Sequence, residues 1–225
     1  MLQLEGKRAF ITGASGGIGG AIKEVFELNG ALVVAPERKD LDLADLELIN
    51  QYFSRADRDF DIVVNCAGIN ILSDFDKIDP VDMQKIFQTN FFSAVQLLQY
   101  IIPGMKERGY GRVVNIESLY ALISRERRLS YAASKSAMSA LTRTLAIEYG
   151  RYNVLVNAIL PGYVMTEMTR KNLDQKDIDK ICERIPLGRL AQPEEIAKLA
   201  LFLCSAQNTY ITGQLIIADG GFTIV

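Results

Sequence analysis

The chain contains no histidine. That absence removes Ser–His and Cys–His nucleophilic triads, histidine-ligated zinc and histidine general bases, leaving tyrosine, lysine, cysteine or carboxylate for any proton transfer. Cysteine is scarce too: Cys66, Cys182 and Cys204 share no metal-ligand spacing, and an odd number closes no disulfide framework. No metal is expected, and the thiols fit a reducing cytoplasm. No run of 18 apolar residues could cross a bilayer, and "MLQLEGKRAFITG" enters a strand-like run at once, so neither a membrane span nor a signal peptide is expected. Charge of neither sign is in excess. The formal net charge is −2 with no block of like charge, which argues against a nucleic-acid partner. Internal repeats, low-complexity tracts and linkers are missing as well.

What is present is apolar sequence, 49% of 225 residues, enough for one substantial core. It comes in short β-branched runs at 8–13, 31–35, 61–68, 111–118, 153–162 and 214–221, apolar on both faces as strands covered on two sides should be. Helical patterns lie between, at 17–29, 45–56, 80–107, 131–149 and 193–205. Asp79–Pro80 supplies an N-cap followed by proline at the first helical position, and Gln192–Pro193 repeats the proline device. The expected fold is α/β, one doubly wound domain over 1–225 with a mainly parallel sheet. One crossover is anomalous. From Ala35 to "DLDLAD" (40–45) there are too few residues for a helical connection. Either a short third strand follows directly, or the sheet is reduced at that edge.

"ITGASGGIGGAI" (11–22) follows the first strand and opens the first helix. Gly13, Gly17 and Gly19 form T-G-x-x-x-G-x-G. Glycine permits a tight turn and close approach of backbone to a pyrophosphate resting on the helix N-terminus, so the loop points to a nucleotide.

The loop resembles that of the short-chain dehydrogenase/reductase family, and further motifs follow in that family's order: "NCAG" (65–68), Ser118, "YAASK" (131–135) and "PGYVMT" (161–166). Tyr131 lies 13 residues after Ser118, the family distance, and the match runs from Gly6 to Phe222. "IPLGRLAQPEEIA" (185–197) and "YITGQLIIADGGF" (210–222) are closest to the β-ketoacyl-carrier-protein reductase-like branch. The resemblance implies a Rossmann fold and an NAD(P)-dependent oxidoreductase moving a hydride between nicotinamide and a carbonyl or secondary alcohol.

Residue chemistry agrees. A free phenol ionises near pH ~10, too high for a good base at neutrality, and an ammonium one helical turn away stabilises the phenolate. Tyr131 is therefore expected as acid/base and Lys135 as its electrostatic partner. The resemblance adds that Lys135 also binds the nicotinamide ribose. Ser118 ends its strand at the edge where open α/β sheets bind ligands, and its hydroxyl can donate to an oxygen gaining negative charge; capping of the next segment is the alternative. By resemblance Asn90, a poor helix former inside a helical pattern, bends its helix and holds a proton-relaying water. Capping or solvent-facing asparagine is the alternative.

The same resemblance implies a cofactor cradle of Gly13, Ser15, Gly17, Ile18 and Gly19, a wall of Asn65, Ala67 and Gly68, and a turn of Pro161 and Gly162. It places Val164 and Thr166 on the carboxamide, with an N-cap as a second role for Thr166, and Asp42 and Leu43 beside the adenine, with a plain surface loop as the alternative for those two. Cys66 reads as a small buried residue rather than a nucleophile. Glu37, 18 residues after Gly19, is the acid that would take ribose hydroxyls, whereas Arg38 would welcome a 2′-phosphate. The expectation favours NAD(H) over NADP(H).

Between Ser118 and Tyr131, Arg125, Arg127 and Arg128 could attract a carboxylate, a phosphate or an acidic carrier, or be solvated charges at a subunit contact. The polar segment 166–185 reads as a lid. The first expectation for the substrate is a 3-oxoacyl thioester, and the second a small polar ketone, keto acid or sugar derivative. A non-catalytic dinucleotide sensor or scaffold is the reading of another class. By resemblance the chain forms a homo-tetramer or homo-dimer through the 80–107 and 131–149 helices and the C-terminal region.

Overall fold

The computed structural model describes residues 2–172 and 174–225. All six apolar runs are strands of one sheet: β1 (Arg8–Thr12), β2 (Leu32–Val34), β3 (Ile62–Asn65), β4 (Gly111–Ile116), β5 (Val154–Pro161) and β6 (Leu215–Ala218). Their order is β2-β1-β3-β4-β5-β6, and every pairing is parallel. Chain order reverses on either side of β1, so a crevice opens at the carboxyl ends of β1 and β3, where such sheets bind ligands.

Side chains alternate across the strands, so each face takes its own apolar layer. Ala9, Ile11, Ile62, Val64, Val114 and Ile159 pack towards α1 (Gly17–Leu28) and α8 (Pro193–Cys204). Phe10, Val63, Val113 and Val156 pack the other way, under α2 (Leu46–Arg55), α4 (Ser93–Arg108) and α5 (Leu129–Tyr149). The centre of the second layer is aromatic. The Phe10 ring meets Phe60 at 5.2 Å and Phe53 at 5.6 Å between centroids, and Phe53 stacks on Tyr100 at 5.1 Å.

The short crossover resolves as a reduced edge. Residues 35–45 form no strand; the amides of Asp40 and Leu41 fold back onto the Glu37 carbonyl, and Leu41 drops its side chain into the core. The three-residue β2 is left as the sheet's edge, with Leu32 exposed. The capping signals act as read: Asp79 accepts from the Val81 amide at 2.8 Å, and Gln192 closes a capping box with Glu195. The pattern at 80–107 is not one helix. α3 (Pro80–Phe87) passes through a π-helical turn, Gln88–Phe92, before α4 begins. The polar segment forms two short helices, α6 (Glu167–Asn172) and α7 (Gln175–Cys182).

Phe10 is fully buried with aromatic rings on three sides. Phe10→Ala should lower the unfolding free energy by about 3–5 kcal/mol, read as a drop in the midpoint of a urea denaturation curve.

Candidate active site

The crevice is built first by close backbone approach. Gly13 sits at φ +72°, and a Cβ there would lie 2.7 Å from the Ala67 Cα and amide nitrogen. A Cβ on Gly19 would fall 2.2 Å from the Gly13 carbonyl oxygen. No side chain fits at either point, so the loop from β1 lies directly on the segment leaving β3. Thr12 fastens the two, its hydroxyl accepting from the amides of Cys66 at 3.1 Å and Ala67 at 3.2 Å. The N-terminus of α1 has no side-chain cap, so its first amides remain available as donors. Ser15 is exposed at the loop tip, and Ile18 packs against the core layer beneath. Thr166 borders Gly17, where a Cβ would lie 3.4 Å from its methyl group.

The wall at the end of β3 is equally specific. Asn65 donates to the Asn115 side chain at 2.8 Å, while its own Oδ1 is buried without a partner among the described residues. Behind Gly68 two polar side chains converge, since a Cβ there would lie 3.4 Å from Asn90 Oδ1 and 3.5 Å from Lys135 Nζ. The Asn90 oxygen accepts from the Ile69 amide at 2.8 Å, and its amide nitrogen donates to the Ile69 carbonyl and Ser134 Oγ, both at 3.0 Å. Asn90 is 2% exposed, which excludes a solvent-facing role. It sits in the π turn, whose extra residue turns the side chain inward.

Tyr131 and Lys135 share one face of α5, with Lys135 Nζ 5.8 Å from the Tyr131 ring centroid. Lys135 is buried and donates to the Ile116 carbonyl at 2.8 Å. Ser118, two residues further along β4's exit, accepts from the Tyr120 amide at 3.2 Å, which leaves its own proton free to donate. Four of the expected groups thus gather at one edge of the sheet: Asn90, Ser118, Tyr131 and Lys135. Cys66 is partly buried, and burial pushes its thiol up to about 11, in keeping with an inert cysteine.

Pro161 closes β5, and Gly162 follows where a Cβ would strike Asp219 at 2.7 Å. Val164 is buried, its carbonyl accepting from the Thr166 amide and the Thr169 hydroxyl. Thr166 Oγ1 accepts from the Thr169 amide at 3.2 Å, the N-cap role foreseen for it. The residues expected beside the adenine lie apart from this cluster. Glu37 pairs with Lys39 at 2.9 Å and Arg38 with Asp42 at 3.2 Å, and none of these links reaches the glycine loop. The Ala44 amide and then Arg38 hold the Asp42 carboxyl below its ordinary range. Leu43 is half-buried and offers its carbonyl to Gln88 at 3.4 Å.

An aromatic cluster that the sequence did not announce adjoins Tyr131. The rings of Tyr131 and Tyr120 lie 6.5 Å apart, Tyr120 and Tyr163 share a hydroxyl–hydroxyl hydrogen bond of 3.1 Å, and Tyr163 meets Phe222 edge-on at 5.4 Å. Ile178, Ile181 and Cys182 of α7 pack against the same cluster, so the polar segment turns an apolar side towards it. The arginine triplet divides. Arg127, at φ +65°, pairs with Asp74; Arg125 donates to the Tyr163 hydroxyl at 3.3 Å; and the Arg128 guanidinium lies 4.8 Å over the Tyr120 ring.

Sequence reading also passed over Glu117. It is 4% exposed inside β4's apolar exit, its carboxyl held by the Ser139 and Thr142 hydroxyls of α5. The only available signal was a carboxylate standing in a run of apolar residues. Burial pushes it up to about 7, against the downward pull of Ser139 and Lys135.

The family model described as Enoyl-(Acyl carrier protein) reductase matches residues 23–223. The 3-oxoacyl-acyl-carrier-protein reductase FabG of Thermotoga maritima is 33% identical over 99% of this chain and 100% of its own. The gluconate 5-dehydrogenase of Gluconobacter oxydans is 31% identical over 100% and 97% of the two chains. Among solved structures, a gluconate 5-dehydrogenase from Burkholderia cenocepacia J2315, in complex with NADP and tartrate, superposes with a TM-score of 0.90 at 30% identity, covering 100% of this chain and 98% of that one.

The Glu117 carboxyl gives the stability a definite pH dependence. Its folded value is raised above the ordinary 4.5. The unfolded chain therefore loses this proton first, and stability falls as pH rises from about 4.5 through about 7. Glu117→Gln removes this contribution. Thermal melts should show the variant gaining on the parent between pH 5 and pH 8, by up to about 3 kcal/mol.

Proposed function

The chain belongs to the short-chain dehydrogenase/reductase family and is an NAD(P)-dependent oxidoreductase; within that family we propose that it interconverts a carbonyl and a secondary alcohol with Tyr131 as acid/base. The observation that carries this reading is the convergence of Tyr131, Lys135, Ser118 and Asn90 at the crevice, with Lys135 buried behind Gly68. A cofactor fits the crevice on two grounds: the glycine loop lies where no Cβ could, and Asn65 presents an orphaned buried oxygen. Bound nicotinamide supplies or accepts the hydride.

The chain's own residues do the rest. Gly13, Ser15, Gly17, Ile18 and Gly19 cradle the pyrophosphate end. Asn65, Ala67, Gly68, Pro161, Gly162, Val164 and Thr166 wall the nicotinamide end. Ser118 donates to the substrate oxygen, and Tyr131 gives or takes the alcohol proton. The Lys135 ammonium steadies the phenolate, and Asn90 holds the Ile69 backbone beside it. Such proton transfer contributes about 10²–10⁴-fold.

A 3-oxoacyl thioester is the first reading of the substrate, supported by the FabG relative. A small hydroxy or keto acid of sugar type is the second. It is supported by the gluconate 5-dehydrogenase relatives and by Arg125, which has no carboxylate partner among the described residues and holds the Tyr163 hydroxyl beside the cleft. Initial rates with a 3-oxoacyl thioester and with a keto sugar acid separate the two. Tyr131→Phe should cut the productive rate by about 10²–10⁴-fold while leaving reduced cofactor bound, as read by nicotinamide fluorescence. Equal turnover by parent and variant would sink the assignment.

The NADP in the solved relative lends no support to the expected preference for NAD(H). The Glu37 carboxylate is paired with Lys39 and the Arg38 guanidinium with Asp42 at the corner beyond β2, and both pairs are exposed, so either cation can exchange its carboxylate for a 2′-phosphate. We read this corner as favouring NADP(H). In a fluorescence titration NADPH should bind more tightly than NADH, and Arg38→Ala should narrow the gap by about tenfold, the size of one charge-assisted contact.

A further inference from the structure

Glu117 occupies a position that the hydride-transfer chemistry above leaves unused. The residue before it, Ile116, supplies the carbonyl that holds Lys135 Nζ at 2.8 Å, and the residue after it is Ser118. Side chains alternate along β4, so Asn115 and Glu117 point together at α5. There Thr142 accepts from Asn115 at 2.9 Å and reaches Glu117 at 3.2 Å, while Ser139, one turn beyond Lys135, holds the other carboxyl oxygen. Asn115 in turn accepts from Asn65 at 2.8 Å, so the buried chain runs from Glu117 to the cofactor wall.

These hydrogen bonds do not require a carboxylate. Both partners are hydroxyls, which donate or accept, and a glutamine amide would satisfy them equally. What a glutamate adds is a charge that can come and go. Among the described residues no cation lies within 4.0 Å of it. The charged groups that act on it are Lys135 and Arg143, both from α5; β4 contributes Asn115, and β5 meets it through the Ile159 carbonyl, which accepts the Glu117 amide at 2.8 Å. Arg143 is exposed and screened, whereas Lys135 shares the buried region.

We propose that Glu117 is a positioning residue of the hydride-transfer site: the buried countercharge of Lys135, which sets how firmly Tyr131 holds its proton. The inference rests on the acid/base reading of Tyr131. An ionised Glu117 offsets part of the positive field that Lys135 projects onto the phenol, and a protonated one restores it. Turnover as a function of pH then reports two ionisations, one from Tyr131 and one from a carboxyl that touches neither substrate nor cofactor.

The test compares kcat/KM against pH, in the alcohol-oxidising direction, for the parent and Glu117→Gln. The parent should show an inflection near neutrality that the variant lacks, and the variant's remaining limb should move to lower pH by about 0.5–1 unit. A merely structural glutamate would change the height of the curve and leave its inflections in place; coincident inflections overturn the proposal. A second readout needs no turnover. In carbon-13 NMR of side-chain carboxyls, one glutamate should titrate near neutrality, and Lys135→Met should raise its midpoint by about 0.5–1 unit. An unmoved midpoint, or no glutamate titrating there, overturns the countercharge role. A moved midpoint in a protein that turns over no carbonyl upholds the coupling and overturns the reaction instead.

Discussion

A buried ammonium organises this site. Lys135 is withdrawn from water on the inner face of α5, and an ion in that position must find hydrogen-bond partners or lose several kcal/mol of solvation. The Ile116 carbonyl at the end of β4 is the partner it finds. That bond ties helix to sheet at one height, and the height determines much else. Tyr131 is carried one turn up the same face. A Cβ on Gly68 would lie in van der Waals contact with Lys135 and Asn90, which stand directly behind it. Asn90 reaches Ile69 and Ser134 from within the π turn of its helix.

Around this anchor the site is held by contacts between backbones as much as by side chains. The glycine loop and the segment after β3 lie too close for any Cβ, and Thr12 bridges them with a single hydroxyl. Such a joint is rigid because it has nowhere to relax, and a rigid joint keeps the α1 N-terminus facing the crevice. The opposite edge of the sheet is built differently. With β2 reduced to three residues, the turn beyond it carries exposed ion pairs, each offsetting its neighbour. Exposed pairs of that sort contribute little to stability.

Much of this was legible in the sequence. Two-faced apolar strands announce a parallel sheet, and all six runs are its strands, because burial on both sides leaves no other pattern. Asp79 and Gln192 mark helix starts by local chemistry alone. The shortage of residues after Ala35 correctly signalled a curtailed edge, since chain length is a constraint that packing cannot override. The misses have physical reasons too. A π turn inserts about one extra residue, a change that periodicity over 80–107 does not register; only the resemblance implied a bend at Asn90. Glu117 read as part of an apolar strand, because its two hydroxyl partners lie 22 and 25 residues away. The cluster of Tyr120, Tyr163 and Phe222 draws on three separate loops, and no local pattern joins them.

The sequence by itself determined the strand and helix series, the glycine turn, the Tyr131–Lys135 spacing and the exclusion of histidine chemistry, all properties of residue type and short-range spacing. The tertiary structure decided which groups share a low-dielectric space. It buried Lys135 beside Asn90, set Glu117 within the field of Lys135, divided the arginine triplet between an aspartate, a phenol hydroxyl and an aromatic ring, and left Glu37 in water. Those outcomes depend on solvation and distance, which emerge only when segments remote in the chain are packed against each other.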